Sequence, residues 1–186
     1  RHASLFCQLL EVFPRHEFHN LVRDIGTERR SKGFASWDHF VAMLFCQLAQ
    51  AKSLREISSG LASCLGRLSH LGVCRAPNKS TLSYANGHRS WTLFESLFYR
   101  LSDRLQFDGH VQRRLKLPGK LYSLDATVIS LCLSIFDWSH YRQAKGAVKL
   151  HLVLDHDGYL PCFANITLAR RHDVPSARHF SFPAGS

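Results

Sequence analysis

Acidic residues are scarce in this chain: 14 Asp and Glu stand against 24 Lys and Arg, giving a formal net charge of +10 and a pI near 9.7. That shortage sets aside a polycationic partner and favours a polyanion, nucleic acid first and an anionic membrane surface second. The deficit is uneven. Residues 1–117 hold 17 Lys/Arg and 9 Asp/Glu, a net +8, whereas residues 118–186 hold 7 and 5, a net +2. No uninterrupted apolar run reaches the roughly 18 residues of a membrane-spanning helix, and the N-terminus lacks the charged, apolar, then small-residue pattern of a signal peptide. The six cysteines (Cys7, Cys46, Cys64, Cys74, Cys132, Cys162) form no CxxC or other short-spaced pair. Their scatter argues against a disulfide framework and fits free thiols in a reducing cytosol. A soluble cytoplasmic protein is the expectation. Internal repeats and low-complexity tracts are also absent.

What is present is enough for a real core: 186 residues, 45% of them hydrophobic, suit one globular domain with a smaller appended module. The chain starts at Arg1 rather than Met and stops at Ser186 within Phe-Pro-Ala-Gly-Ser, which is the pattern expected of a fragment.

Residues 1–116 read as helices. Ser4 to Phe13 is a short apolar stretch ended by Pro14, and Glu17 to Ile25 follows with helical spacing and a Gly26 stop. Ser36 offers an N-cap for Trp37 to Leu48, a segment apolar almost all round and so a buried central helix. Ser53-Leu-Arg-Glu56 has capping-box spacing and predicts a helix over Leu54 to Leu65. Gly66, Gly72 and Pro77 make the next stretch a loop. Ser80 or Thr81 then caps a segment running to Arg89, and Trp91 to Leu105 reads as a long amphipathic helix. From Lys120 the period changes to that of strands: Leu121–Leu133, Ala147–Asp155 and Tyr159–Thr167, with Asp157-Gly158 as the turn between the last two. The fold class expected is α+β.

Asp125 sits near the centre of a strand whose side chains should mostly be buried, and a buried carboxylate needs a cation or a donor. Two readings remain open. It pairs with Lys149 or His151 on the neighbouring strand, or it holds Mg²⁺, a hard cation that takes carboxylate oxygens; two such ions can clamp the attacking and leaving oxygens of a phosphodiester. Asp155 and Asp157 suit turn chemistry rather than metal binding. His172-Asp173 reads as the cap of a following helix or as a His-carboxylate dyad. His140, Arg142, Lys145 and Lys149, with Trp138 and Tyr141 among them, form either a phosphate-contacting loop or a solvated one. The segments 54–65 and 79–89 suggest a helix-turn-helix carrying Lys79, Ser80, Thr81, Ser83, Asn86, His88 and Arg89 towards a groove, although the loop between them exceeds the usual turn; an ordinary bundle is the alternative. Cys64, His70 and Cys74 lack a fourth zinc ligand, and no thiol has the setting of a nucleophile.

Several stretches together, Phe34-Ala-Ser-Trp-Asp-His-Phe40, Ser53-Leu-Arg-Glu-Ile57, Ser80-Thr-Leu-Ser-Tyr-Ala-Asn86, Leu121-Tyr-Ser-Leu-Asp-Ala-Thr127 and Lys145-Gly-Ala-Val-Lys-Leu-His151, resemble bacterial IS4-type insertion-sequence transposases that carry a helical N-terminal domain of unassigned function. The resemblance spans nearly the whole chain. It implies a helical module over 1–117 that contacts DNA, followed over 118–186 by the start of a ribonuclease-H-like catalytic domain, a partial sheet of three strands. Asp125 falls where the first of an Asp, Asp, Glu metal triad belongs; the other two carboxylates would follow later strands, and neither Asp155 nor Asp157 occupies their places. The implied activity is cleavage of double-stranded DNA at the element ends and attack of the freed 3′-hydroxyl on target DNA, with Asp125 holding Mg²⁺ in both steps. Lys79, Ser80, Asn86, Arg89, Arg142, Lys145 and Lys149 are the expected DNA contacts. With one of three ligands, the chain alone should be inactive; a homo-oligomer is allowed in the complete enzyme. The alternative is a non-catalytic protein that binds DNA through its basic helical part. If later elements complete the sheet, Val128, Leu131, Val153 and Phe163 should be only partly covered here.

Overall fold

The computed structural model describes residues 5–28, 33–64, 68–108, 119–130, 147–168, 180 and 182. Six α-helices, α1 (Leu5–Glu11), α2 (Arg15–Ile25), α3 (Ser36–Leu48), α4 (Leu54–Ser63), α5 (Lys79–His88) and α6 (Thr92–Asp108), precede three strands, β1 (Tyr122–Ser130), β2 (Ala147–Asp155) and β3 (Leu160–Leu168). The class is α+β, as the change of period at Lys120 predicts. The chain divides into two compact units that meet between Leu97 and Phe98, within α6. The 117/118 boundary expected from the sequence lies outside the described residues. Among the described residues no helix is long and apolar enough to cross a membrane.

Helix ends in the first unit are set by local chemistry. Pro14 precedes α2 in extended conformation, and Gly26 closes it at φ 72°. There the amides of Gly26 and Thr27 bond back to Arg23 and Val22, a left-handed cap that glycine adopts without a Cβ penalty. Ser53 caps α4 as its spacing predicts: its Oγ accepts from Glu56 N–H at 3.2 Å, while Glu56 reaches back to the Lys52 amide at 2.8 Å. At α5 the cap is Asn78 rather than Ser80 or Thr81. Its Oδ1 accepts from Thr81 N–H at 2.8 Å, and from the hydroxyls of Thr81 at 2.7 Å and Ser80 at 2.9 Å. A single amide oxygen thus gathers both residues that had looked like caps. The stretch read as a loop contains a 3-10 turn, Leu68–Leu71.

The core of this unit has two parts. Ala42, Leu54, Ile57, Leu61 and Leu82 interlock α3, α4 and α5. Full burial of such aliphatic side chains is worth about 1.5–3 kcal/mol each. A Cβ on Gly60 would lie 2.6 Å from the Phe45 ring, so glycine is what lets α4 approach α3 here. Beside this core, Phe18, Trp37 and Phe40 meet ring to ring at 5.2–5.5 Å. Trp37 Nε1 donates to the Leu71 carbonyl at 2.9 Å, and the Arg15 guanidinium covers the indole at 4.8 Å.

In the second unit the strands form one antiparallel sheet in the order β1-β2-β3. The β2-β3 connection is longer than a two-residue turn: Asp155 pairs with Leu160, and the left-handed residue is Tyr159 (φ 54°), not Gly158. The Asp155 carboxylate accepts from Asp157 N–H at 2.9 Å, the local bonding that suits Asp to turns. Coverage of the sheet is mixed. Val128 is 56% exposed and Phe163 half-buried, as expected, but Val153, on the central strand, is fully buried; Leu131 lies outside the described residues.

Gly72 adopts φ 72°, and an added Cβ would run into the Arg15 guanidinium that covers Trp37. Gly72→Ala is therefore expected to destabilise the chain by roughly 1–3 kcal/mol, from left-handed strain plus displacement of Arg15. Urea denaturation of the two proteins checks this, and an unchanged midpoint would show that Arg15 moves aside at no cost.

Candidate functional site

Asp125 lies in the middle of β1, in register with Leu152 of β2, which in turn pairs with Ala164 of β3. Its carboxylate is exposed, contrary to the burial that the apolar run suggested. An antiparallel sheet with one open face accommodates such a residue without desolvating it. Thr127, two residues on and so on the same face, donates to Asp125 Oδ2 at 3.0 Å. An ionised carboxylate has about four acceptor sites. One hydroxyl bond leaves capacity for a hard cation, and the oxygen chemistry of Asp125 fits Mg²⁺ as one ligand of a larger set.

The sheet does not bring Lys149 or His151 to that ligand. Lys149 pairs with Val128 and His151 with Ala126, positions that alternate with Asp125, so both project from the opposite face and neither is its salt-bridge partner. His151 is fully buried and its Nε2 shares a hydrogen bond of 2.9 Å with Thr167 Oγ1. Arg142 and Lys145, with His140, Trp138 and Tyr141, lie outside the described residues, as do His172 and Asp173. At the far end of β2, Asp155 accepts from Lys120 Nζ at 3.2 Å, a bond that raises the Lys120 pKa. Among the described residues no three His, Cys, Asp or Glu side chains gather closely enough to hold a metal ion. The five described cysteines, Cys7, Cys46, Cys64, Cys74 and Cys162, are free thiols.

The basic helical unit offers the other candidate surface, and α5 is its centre. The residues proposed for a groove divide between two sides. Lys79, Ser80 and His88 are exposed. Asn86 and Arg89 turn inward instead. Asn86 Oδ1 accepts from Nε2 of His39 on α3 at 2.7 Å. The Arg89 guanidinium donates to the carbonyls of Ala35 (2.9 Å) and Phe34 and lies 5.0 Å from the centre of the Phe34 ring. These two residues join α5 to the start of α3. The sequence carried a signal for this. Leu82, Ala85 and Arg89 repeat at helical spacing, so Arg89 follows the buried stripe.

The start of α3 concentrates charge. Ala35 has no side-chain acceptor, so the helix is capped from elsewhere: Asp38 accepts from the Ala35 amide at 3.3 Å, Glu28 accepts from the Ser36 amide, and Thr27 and Ser36 share a hydroxyl bond at 3.2 Å. Both carboxylates sit at the positive end of the helix dipole. Burial raises the Asp38 pKa against the pull of the Ala35 amide and Arg89, and burial lowers that of Arg89. His39 is 4% exposed, and burial pushes its pKa down to about 4, so it is a neutral Nε2–H donor to Asn86. An open groove of about 640 Å³ adjoins this cluster, with Glu28, Asp38, Cys74, Arg75, Asn78 and Thr81 among its walls.

Residues 1–74 match a domain of unknown function, DUF4372. No curated protein and no solved structure matches the chain.

His39 gives the first unit a defined pH response. Its folded pKa of about 4 lies below the ordinary 6.5, so the unfolded chain binds the extra proton between those values. Stability is complete above pH 6.5 and falls as the pH drops towards 4, by up to about 1.4 kcal/mol per pH unit and about 3 kcal/mol in all. The difference between wild type and His39→Gln, measured by denaturant unfolding at pH 7 and pH 5, isolates this residue. Equal pH slopes in the two proteins would contradict it.

Proposed function

We propose that this chain is the DNA-contacting and first metal-ligand portion of an insertion-sequence transposase. The observation that carries the reading is the placement of Asp125: a lone exposed carboxylate at the middle of the first strand of an antiparallel β1-β2-β3 sheet, with its oxygens directed off the sheet face. Two further facts support it. The N-terminal match is to a domain commonly found in transposase-like proteins, and the net charge of +10 suits a phosphate backbone.

In this reading Asp125 is one oxygen ligand for Mg²⁺, oriented by the hydroxyl of Thr127. When bound, Mg²⁺ supplies Lewis-acid activation of a phosphodiester and of the attacking water. The chain's own residues bind and orient. Cations of the helical unit neutralise phosphates, which fixes DNA position without reading its sequence. One carboxylate cannot by itself hold the metal pair that strand cleavage and transfer require. A non-catalytic DNA-binding role is favoured by one observation, the concentration of +8 of the +10 net charge in residues 1–117.

Fluorescence anisotropy with a labelled duplex tests the shared premise. Affinity is expected to fall linearly in log–log form between 50 and 200 mM salt, by at least tenfold, as phosphate contacts release counterions. Absent or salt-independent binding would overturn both readings. Asp125→Ala should leave this affinity unchanged and change stability by less than about 0.5 kcal/mol, because the residue is exposed. With Mg²⁺ and supercoiled plasmid, the chain alone is expected to leave the DNA intact. Nicking that disappears in Asp125→Ala would reveal a fuller metal site than one carboxylate.

A further inference from the structure

The outer side of α5 remains unaccounted for by packing. Counting along the helix, Lys79, Ser80, Ser83, Tyr84, Gly87 and His88 share one side, opposite the buried Leu82 and Ala85. Tyr84 is 66% exposed, and Trp91, at the start of α6, is 68% exposed. The Tyr84 and His88 rings are stacked, with centroids 3.9 Å apart and planes within 14°. His88 Nδ1–H donates to the Tyr84 carbonyl at 2.9 Å, which fixes the imidazole on the helix surface with Nε2 as its remaining polar atom.

Gly87 is the informative residue on this side. It has no left-handed backbone to accommodate, and an added Cβ would meet nothing within 4 Å. Glycine costs a helix in conformational entropy, and packing within the chain returns nothing for that cost. A missing side chain on an exposed helix face is what close approach of another molecule requires.

Charge identifies the chemistry of that molecule. From Ile57 to Phe94 the sequence contains no Asp or Glu at all, but it does contain Arg67, Arg75, Lys79 and Arg89. A polyanion meets no carboxylate from this stretch. The hydroxyl of Tyr84 and the ammonium of Lys79 are the donor types that contact phosphates, and an α-helix has the width of the DNA major groove. We infer that the outer side of α5, with Gly87 at its closest point, is the surface on which the helical unit seats duplex DNA, and that Tyr84, Gly87 and His88 take the place of Asn86 and Arg89 in that contact. The inference rests on the DNA-binding reading above and assigns it to one helix side.

The test uses the full chain and a labelled duplex of mixed sequence. Gly87→Leu is expected to raise the thermal midpoint, because leucine is the better helix former, yet to weaken DNA binding at least tenfold by blocking close approach. A purely structural glycine would give the reverse stability change. Tyr84→Ala with His88→Ala should weaken binding by a similar factor with the helical circular dichroism retained, and Lys79→Ala should reduce the salt slope by about one. If wild type binds DNA but Gly87→Leu and the Tyr84/His88 double variant bind equally well, the assignment to α5 is wrong while DNA binding stands. If wild type shows no binding, the functional reading itself fails. If light scattering finds a dimer that Tyr84→Ala converts to monomer, with DNA affinity unchanged, the face serves self-association and the inference is overturned.

Discussion

The guanidinium of Arg89 on the carbonyls of Phe34 and Ala35 is the contact around which the helical unit is arranged. Those carbonyls belong to the chain just before α3, where the amides of Ala35 and Ser36 turn to Asp38 and Glu28 instead. One side of the backbone there presents acceptors to a cation, while the other presents donors to carboxylates. Such a junction neutralises itself locally. It also fixes where α5 ends relative to where α3 begins, and His39 to Asn86 adds a second tie of 2.7 Å between the same helices. With α3 and α5 held, α4 is seated by Leu54, Ile57 and Leu61, its Ser53 cap and the space that Gly60 leaves for Phe45.

That arrangement explains which parts of the molecule could be read from its sequence. The α4 cap was legible because Ser53 and Glu56 act within one turn. At α5 the same kind of reasoning met four consecutive residues, Asn78-Lys-Ser-Thr81, three of which can cap, and the choice of Asn78 depended on backbone geometry that composition does not carry. Arg89 and Asn86 were harder still. Their partners, Phe34, Ala35 and His39, are distant in sequence, so a polar residue on α5 looked available for DNA when it was committed to α3. Only the phase of Leu82 and Ala85 hinted otherwise. The exposure of Asp125 is illegible for the opposite reason: an apolar run implies coverage on both faces, whereas β1 keeps Leu124, Val128 and Ile129 substantially exposed.

The chemistry of the two units differs in kind. In the first, buried polar groups are neutral or mutually satisfied, and the cationic residues that matter for a polyanion are at the surface. In the second, the carboxylate of interest is exposed and lightly bonded, while a histidine on the other face of the same sheet is enclosed. Lys149 and Asp125, three register positions apart and opposite in pleat, show how an odd offset separates charges that a linear reading would pair.

The irregularity between β2 and β3 carries a consequence of its own. Leu154 pairs with Pro161 and Val153 with Phe163, so Cys162 is the extra residue of a bulge. Leu160 and Phe163 consequently share a face although they are three residues apart. Loss of that single residue would restore plain alternation and leave every pairing beyond it in place, because Phe163 would follow Pro161 directly and still face Val153. Phe163, whose ring meets those of Phe180 and Phe182 at 5.8 and 6.5 Å, would keep its side of the sheet. Position 162 is therefore where β3 can change length without cost to its pleat, whereas the same one-residue deletion at Ala164 would slip the register of Asn165 to Leu168 and exchange their faces.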